Sequence, residues 1–522
     1  MPPDPRDTPA QQTPPSVSLL YADGPGSSGE ARPACFVDLN LDQIVAAATA
    51  GRERYELAPV FNAALRHAAA VAWRQAVFRD LESGEVKAAF DAFAAAMRRS
   101  RDAVARAGKQ HHPTERQRWT LDALIDYGRG VTALVADLER LRPASDALAA
   151  VAAYGADYVV SPGFTAMRDR AEALAGRLSG LRYTVLIQGL DVRVAPFADE
   201  ADYGGAITAD FARFAQGEGE RFPFDHGAGD SLNMVEERIL DHVARAFPEV
   251  FAELAAVAET YGGDFVDPVI ARIDREAQFY LGWRALIDPI AEAGHAFCYP
   301  EVTHDKAVFA DDAFDLALAH TLRARGGDLV HNDMRLDAGE RIIIVSGPNQ
   351  GGKTTFARMF GQLHYLAALG LPVPGRRARL HLFDTIFTHF ERREVSATAD
   401  GKLQDELVRL HAILEDATGD SIVIMNELFA STTFRDASLL SRRVAAQLVE
   451  RGVIGVWVSF LDGLSEADPA LVSMVSQVDP DDPARRTFKV ERRAADGLAY
   501  ARAIAAKYRL TRDRIDARLG AA

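Results

Sequence analysis

The sequence predicts a two-part fold, an α/β domain with a mostly parallel sheet preceded by a large, mainly α-helical domain that a small β excursion interrupts. Three observations predict it. Short, fully apolar runs at 342–345, 422–425 and 453–458 alternate with amphipathic stretches, as buried parallel strands do. From about 38 to 180 the chain is rich in Ala, Leu and Arg, with apolar residues at helical spacing, as in Trp73, Val77, Phe78 and Leu81. A glycine-rich loop follows the first apolar run directly.

Taken in order, the first 35 residues carry Pro2, Pro3, Pro5, Pro9, Pro14 and Pro15 among Gln, Gly and Ser, and read as a disordered Pro-rich tail. Residues 36–305 form the helical domain. Within it, Tyr183 to Ile187 and Val192 to Val194 read as short strands, and the Gly/Asp-rich remainder to about 232 as loop. Helical pattern resumes from Leu232 to Ala293, with Pro248 and Pro268 marking breaks between helices. Residues 306–522 form the α/β domain.

Of 522 residues, 48% are hydrophobic and 25% charged, the balance of a globular protein with more than one core. No run reaches the roughly 18 apolar residues of a membrane span, so a cytoplasmic protein without membrane partners is expected. Cys35 and Cys298 are too few for a disulfide framework or metal cluster. A net charge of -15 argues against a uniformly basic nucleic-acid binder. One basic stretch, Arg98, Arg99, Arg101, Arg106, Lys109, Arg116 and Arg118, reads as a solvated helix face, with a local phosphate-binding stripe as the alternative.

The loop is Gly347-Pro348-Asn349-Gln350-Gly351-Gly352-Lys353-Thr354, which fits the phosphate-loop pattern G-x-x-x-x-G-K-[ST] in full, between a strand and a helix. Its glycines let backbone N–H groups turn toward phosphate oxygens, and the helix after it adds its positive end. Lys353 is expected to reach the β- and γ-phosphates, and Thr354 to offer a hydroxyl to Mg²⁺. Phe356, Phe360 and Leu363 share a helix face until Gly370 and Pro372. The strand at 422–425 ends in Asn426-Glu427, where an acidic pair is usual. Asn426 offers Mg²⁺ a neutral oxygen, a weaker ligand for a hard dication. Glu427 is suited to orient the water attacking the γ-phosphate. ATP and Mg²⁺ are the expected ligands.

The stretch from Ser346 to Thr355 resembles the GPNMGGKST loop of MutS proteins, the Pro-Asn pair being its specific part. The resemblance continues through Gly370-Leu371-Pro372-Val373-Pro374 ("G-x-x-V-P"), Asp384-Thr385-Ile386-Phe387-Thr388 ("D-x-I-F-T-R") and Glu406 in the "STFMVEM" region. The run from Asn426 to Ala437 is similar, without gaps, to "DEIGRGTSTYDG", matching at Glu427, Thr432 and Asp436. Upstream, Asn332-Asp333-Met334-Arg335-Leu336 resembles the segment that lies near the nucleotide in that family. The resemblance implies an ATPase whose nucleotide site includes Asn332, Gly347 to Thr354 and Thr355, with Mg²⁺ at Thr354, Asn426 and Glu427. It also implies a homodimer that ATP closes, and helical levers that carry the closure to mismatched or branched DNA.

The sequence departs from the family pattern at named places. Ser459-Phe460-Leu461-Asp462 stands where the family has "ATHY", so its imidazole is replaced by Phe460. Gly401 and Lys402 stand where a serine and threonine reach the partner's nucleotide. No mismatch-reading domain is expected ahead of the helices, and no nuclease-like domain after the ATPase. Besides a DNA-coupled ATPase, the residues admit an ATP-binding switch or scaffold that hydrolyses little and acts on a protein partner. A small-molecule kinase using the same loop is the third reading.

Overall fold

The computed structural model describes residues 17–24, 31–188, 191–198, 232–390, 399–479 and 485–494, with Arg512, Ile515 and Arg518. The chain divides into two compact units, one holding residues 84–143 and 148–274, the other residues 16–83, 144–147 and 275–522. This differs from a linear boundary at 305/306, because residues on both sides of the helical stretch pack with the α/β unit. Sequence order cannot reveal that return.

In the first unit two long helices, Gly84–Ala107 and Pro113–Leu141, pack on each other. They approach closely at Gly130, where a Cβ would meet the Ala96 Cβ at 2.5 Å. The basic stretch crosses the turn between these helices and so is not one helix face. Its members meet neighbours of their own unit: Arg99 pairs with Asp126 at 2.9 Å, Arg101 with Asp274 and Arg118 with Asp122, and Arg106 lies 4.9 Å over the Trp119 ring. The two prolines act as first residues of helices, Pro248–Tyr261 and Pro268–Glu292, where a missing N–H costs nothing. The strands β1 (Tyr183–Gln188) and β2 (Asp191–Pro196) form an antiparallel pair. The remainder of the excursion, 199–231, lies outside the described residues.

The second unit corrects the expected tail. Leu19 and Leu20 are buried. The Glu276 carboxylate accepts from Leu19 N at 2.6 Å, and Tyr280 Oη donates to Leu19 O at 2.6 Å. Arg74, fully buried, donates to Leu20 O at 3.2 Å and to Leu369 O at 3.0 Å. The prolines at 2–15 lie outside the described residues; the short Leu-Leu-Tyr segment that follows them is held by distant side chains without forming a helix.

Strands β3 (Phe297–Cys298), β4 (Glu301–Thr303), β5 (Val308–Ala313), β6 (Asn332–Leu336), β7 (Ile342–Ser346), β8 (Val373–Pro374), β9 (Arg377–His381), β10 (Ile386–His389), β11 (Ile422–Asn426), β12 (Ile454–Val458), β13 (Leu471–Val478) and β14 (Arg486–Arg492) follow. The main sheet runs β10-β11-β12-β7-β13-β14, parallel throughout except for the antiparallel β13–β14 pair. A second, mixed sheet runs β4-β9-β5-β6, and β3 pairs with β8. The second sheet was not foreseen, because its strands carry Asp and Arg where an apolar run would mark them.

Alternation along the central strands sets the layers. Ile342, Ile344, Val423 and Trp457 pack with Leu410 and Ile413 of helix Ala399–Asp416 and with Val444 and Leu448 of helix Phe434–Arg451. The opposite face takes helix Lys353–Ala368, whose Phe356, Phe360 and Leu363 are buried as expected. β12 is close enough to β11 that a Cβ on Gly455 would stand 1.9 Å from Val423 O. Gly455→Ala is expected to destabilise the unit by about 3 kcal/mol, because backbone in a sheet centre yields little. Chemical denaturation reads this, and an unchanged midpoint would contradict the register.

Candidate functional site

The glycine-rich loop joins β7 to helix Lys353–Ala368 at the C-terminal edge of the parallel sheet, where α/β sheets place their ligands. Its curl is enforced by glycine. Gly347 has φ +118°, and a Cβ there would stand 2.9 Å from Ser476 O on β13. Ser476 closes the loop from beneath by donating from Oγ to Gly351 O at 2.5 Å.

Lys353 is only 6% exposed, yet its ammonium is well supplied with acceptors. It donates to Gly347 O at 2.9 Å, Pro348 O at 3.3 Å and Asn349 Oδ1 at 3.2 Å. The Glu427 carboxylate, 39% exposed, lies 3.9 Å from it. Thr354 Oγ1 donates to Asn426 Oδ1 at 3.0 Å. Two residues 72 positions apart in sequence thus present oxygens to one another, because β11 ends level with the start of the helix. Glu427 N donates to Val458 O at 2.9 Å, which fixes the strand end to β12.

Gln350 (φ +60°), Glu427 (φ +54°) and Phe429 (φ +61°) hold left-handed backbone conformations without being glycine. Such residues cost on the order of 1–3 kcal/mol each and gather at functional sites. Glu406 supports the turn after Glu427 by accepting from Phe429 N at 3.3 Å. Later in that run, Thr433 caps helix Phe434–Arg451 by accepting from Asp436 N at 3.2 Å, so Asp436 serves the helix start.

Over the loop lies a cavity of about 600 Å³. Residues 349–355, Asn332 and Glu427 line it together. Gly347 and Pro348 are not in the lining; they give their carbonyls to Lys353. The opposite wall is apolar: Phe314, Leu318, Leu322, Met359 and Phe488. Helix Leu316–Arg325 carries two of these, and Asp315 caps it by accepting from Leu318 N at 3.0 Å. Gln362 donates to Asp315 Oδ1 at 2.9 Å, so the wall helix is tied to the helix that follows the loop. Burial pushes the Asp315 carboxyl above the ordinary carboxylate range.

Asn332 lies at the cavity edge, but its carboxamide is engaged by β14. It donates to Phe488 O at 3.2 Å and accepts from Val490 N at 2.8 Å. It therefore holds the strand that carries Phe488. Ser476, Phe314 and Phe488 escaped the sequence reading. The alternation in Arg486-Thr487-Phe488-Lys489-Val490 was a strand signal, but nothing local announces a cavity wall. Phe460 is 42% exposed. The Lys402 side chain lies outside the described residues. Burial pushes the Cys298 thiol up to about 11 and the Cys35 thiol to about 12, so both stay protonated at neutral pH. Among the described residues no group of His, Cys, Asp and Glu has the makings of a metal cluster, and no helix is long and apolar enough to cross a membrane.

Residues 343–471 match the family model described as MutS domain V. The chain is similar to the DNA mismatch repair protein MutS of Thermotoga maritima, 28% identical over 167 residues that make up 32% of this chain and 21% of that protein. It is similar to the DNA mismatch repair protein MutS of Chlorobium phaeovibrioides, 24% identical over 252 residues, 47% of this chain and 28% of that protein. With the endonuclease MutS2 of Gemmatimonas aurantiaca it shares 32% identity over 144 residues, 27% of this chain and 18% of that protein. The chain thus spans between 18% and 28% of the length of these relatives.

Proposed function

We propose that this chain, a MutS-like family member through residues 343–471, binds ATP with Mg²⁺ at the 347–354 loop and hydrolyses it to ADP and phosphate. The observation that carries the reading is the meeting of loop and strand end: Thr354 hydroxyl on Asn426 at 3.0 Å, beside Lys353 at 3.9 Å from Glu427. The cavity fits a nucleoside triphosphate, with a polar, glycine-walled end for phosphates and an apolar end for a base. Lys353 supplies positive charge to the β- and γ-phosphates, and the loop N–H groups hold their oxygens. Thr354 and Asn426 are the oxygens that would hold Mg²⁺, which when bound neutralises charge on the phosphate oxygens. Glu427 orients the water that attacks the γ-phosphorus as the bond to the bridging oxygen breaks.

Two observations favour a second reading, a switch that binds ATP and hydrolyses little: the neutral Asn426 in place of an acid, and Phe460 in place of the family's imidazole. Equilibrium ATP binding beside a single-turnover assay separates them. Product at a useful rate excludes the switch; tight binding without product excludes the ATPase. Asn426→Asp is expected to strengthen Mg²⁺ dependence and raise turnover on the order of tenfold, since a carboxylate suits a hard dication better than an amide. An unchanged Mg²⁺ titration would remove Asn426 from the metal site.

The family resemblance extends the proposal to a homodimer closed by ATP, with DNA as the partner of the helical unit. Light scattering with and without ATP tests the first part. Gel shifts with homoduplex, mismatched, branched and single-stranded DNA at two salt concentrations test the second, since phosphate contacts weaken steeply with salt. Weak, flat binding to all four favours a protein partner instead.

A further inference from the structure

Behind the apolar wall of the cavity, four polar side chains from four parts of the chain form one hydrogen-bonded line. His295, in the loop after helix Pro268–Glu292, has Nδ1 2.9 Å from His331 Nε2. His331 Nδ1 lies 3.1 Å from Asp312 Oδ1 on β5, and Arg376 Nε donates to Asp312 Oδ2 at 2.9 Å. Asp312 has φ +56°, a left-handed conformation for a non-glycine residue, and its N–H is held by Asp333 Oδ1 at 2.7 Å. The line touches the cavity through Phe314. That ring stacks on His331 with centroids 5.1 Å apart at 27°, and His295 meets it at 5.7 Å. His331 also directly precedes Asn332, the residue that holds β14 and Phe488.

We infer that His295 and His331 are positioning residues for the nucleotide cavity: their ring-to-ring hydrogen bond, anchored on Asp312 and Arg376, holds Phe314 and Asn332 in the binding geometry. The inference rests on the ATP reading of the cavity. None of the four is among the residues that line the cavity. They act through the wall.

Proton placement makes the line sensitive to pH. A carboxylate can only accept, so His331 Nδ1 donates to Asp312. His331 Nε2 then either accepts from His295 Nδ1–H or, as an imidazolium, donates to it. Both arrangements keep the bond. When both rings are charged, two N–H groups face each other across 2.9 Å and the bond is lost. Burial, and then the neighbouring His331, push the His295 imidazole below its ordinary range. For Asp312, desolvation opposes ionisation, but hydrogen bonds from Arg376 and His331 outweigh it and hold the carboxyl low. Among the described residues, the other charged groups facing the line are Lys489 of β14, which donates to His331 O at 2.5 Å, and Glu82, Arg284 and Asp288, which share a cavity with His295. The sign follows: His295 is neutral at neutral pH, so the bond is intact there and is lost as pH falls below the ordinary histidine range.

The test is equilibrium binding of ATP with Mg²⁺ by calorimetry from about pH 8 down to about pH 5, for the wild type, His295→Gln and Arg376→Gln. Wild-type affinity is expected to fall about two- to tenfold on the acid side, the fold-change of one neutral hydrogen bond. A glutamine carboxamide in place of the imidazole can donate or accept without titrating, so His295→Gln is expected to bind as the wild type at neutral pH and to lose the acid limb. The titration of ATP itself is common to all three proteins and cancels in the comparison. Arg376→Gln alters a side chain 74% exposed, so folding is not at stake. It frees Asp312 to favour the charged imidazoles and is expected to move the limb to higher pH. A limb shared by wild type and His295→Gln, or one that Arg376→Gln moves to lower pH, overturns the inference while leaving ATP binding intact. Absence of ATP binding at every pH defeats the ATP reading, and the inference with it.

Discussion

Lys353→Ala is expected to weaken ATP binding by about 100-fold, because a phosphate-bound ammonium contributes charge-assisted hydrogen bonds worth ~3 kcal/mol together. The geometry makes the expectation strong. The ammonium is buried to 6% exposure at the mouth of the helix, and its three neutral acceptors, Gly347 O, Pro348 O and Asn349 Oδ1, all belong to the loop. Anionic phosphate oxygens brought to the same place meet an ammonium already desolvated and aimed. Alanine removes that charge and also three hydrogen bonds that shape the loop, so the loss should appear both in affinity and as a modest drop in melting temperature. Calorimetric titration with ATP is the measurement, with thermal unfolding alongside it. Affinity within about threefold of the wild type, roughly 0.7 kcal/mol, would show that phosphates do not lie on this loop.

Glu427→Gln is expected to lower single-turnover hydrolysis by about 100- to 1000-fold while ATP binding is kept, the range usual for loss of a positioned general base. Glu427 stands at the end of β11 in a left-handed conformation, pinned through its N–H to Val458 and supported after the turn by Glu406. The carboxylate remains 39% exposed to the cavity, in reach of water. Glutamine keeps its size and removes its basicity and charge. Because that charge also repels triphosphate, affinity should stay level or rise. Binding and turnover therefore move apart in this variant, whereas Lys353→Ala lowers both. A Glu427→Gln enzyme that turns over at the wild-type rate would assign water positioning to another group, and a wild type with no turnover at all would favour the switch.

Much of the α/β unit was legible because its signals are local. Uninterrupted Ile and Val runs bounded by helices mark buried parallel strands whatever else the chain does, and β7, β11 and β12 stand where those runs are. The loop was legible because its tight curl between a strand and a helix requires glycine at fixed spacing, and the lysine stands at the helix start. Asn426 and Glu427 were found by adjacency to a strand end. The helix starts at Pro248 and Pro268 were equally local.

Less of the cavity could be read. Phe314 and Phe488 lie far apart in the chain, and each looks locally like any aromatic in a strand or at a helix entry. Ser476 meets Gly351 only because β13 lies beside β7, a neighbour relation set by the sheet order. The basic stretch looked continuous in sequence and is divided by a turn, its arginines facing Asp126, Asp274 and Asp122.

By itself, then, the sequence determined the parallel strands, the phosphate-type loop, the order Lys353, Thr354, Asn426, Glu427, and the resemblance they carry, because each depends on residues within a few positions of one another. The tertiary structure alone decided that Thr354 meets Asn426, that Asn332 holds β14 rather than facing the cavity freely, that Leu19 and Leu20 are clasped by Glu276 and Arg74, and that two histidines 36 positions apart share a hydrogen bond behind the wall. These are contacts between distant positions, made by side chains of no periodic pattern, and only the packing of helices, strands and loops in the folded unit brings them together.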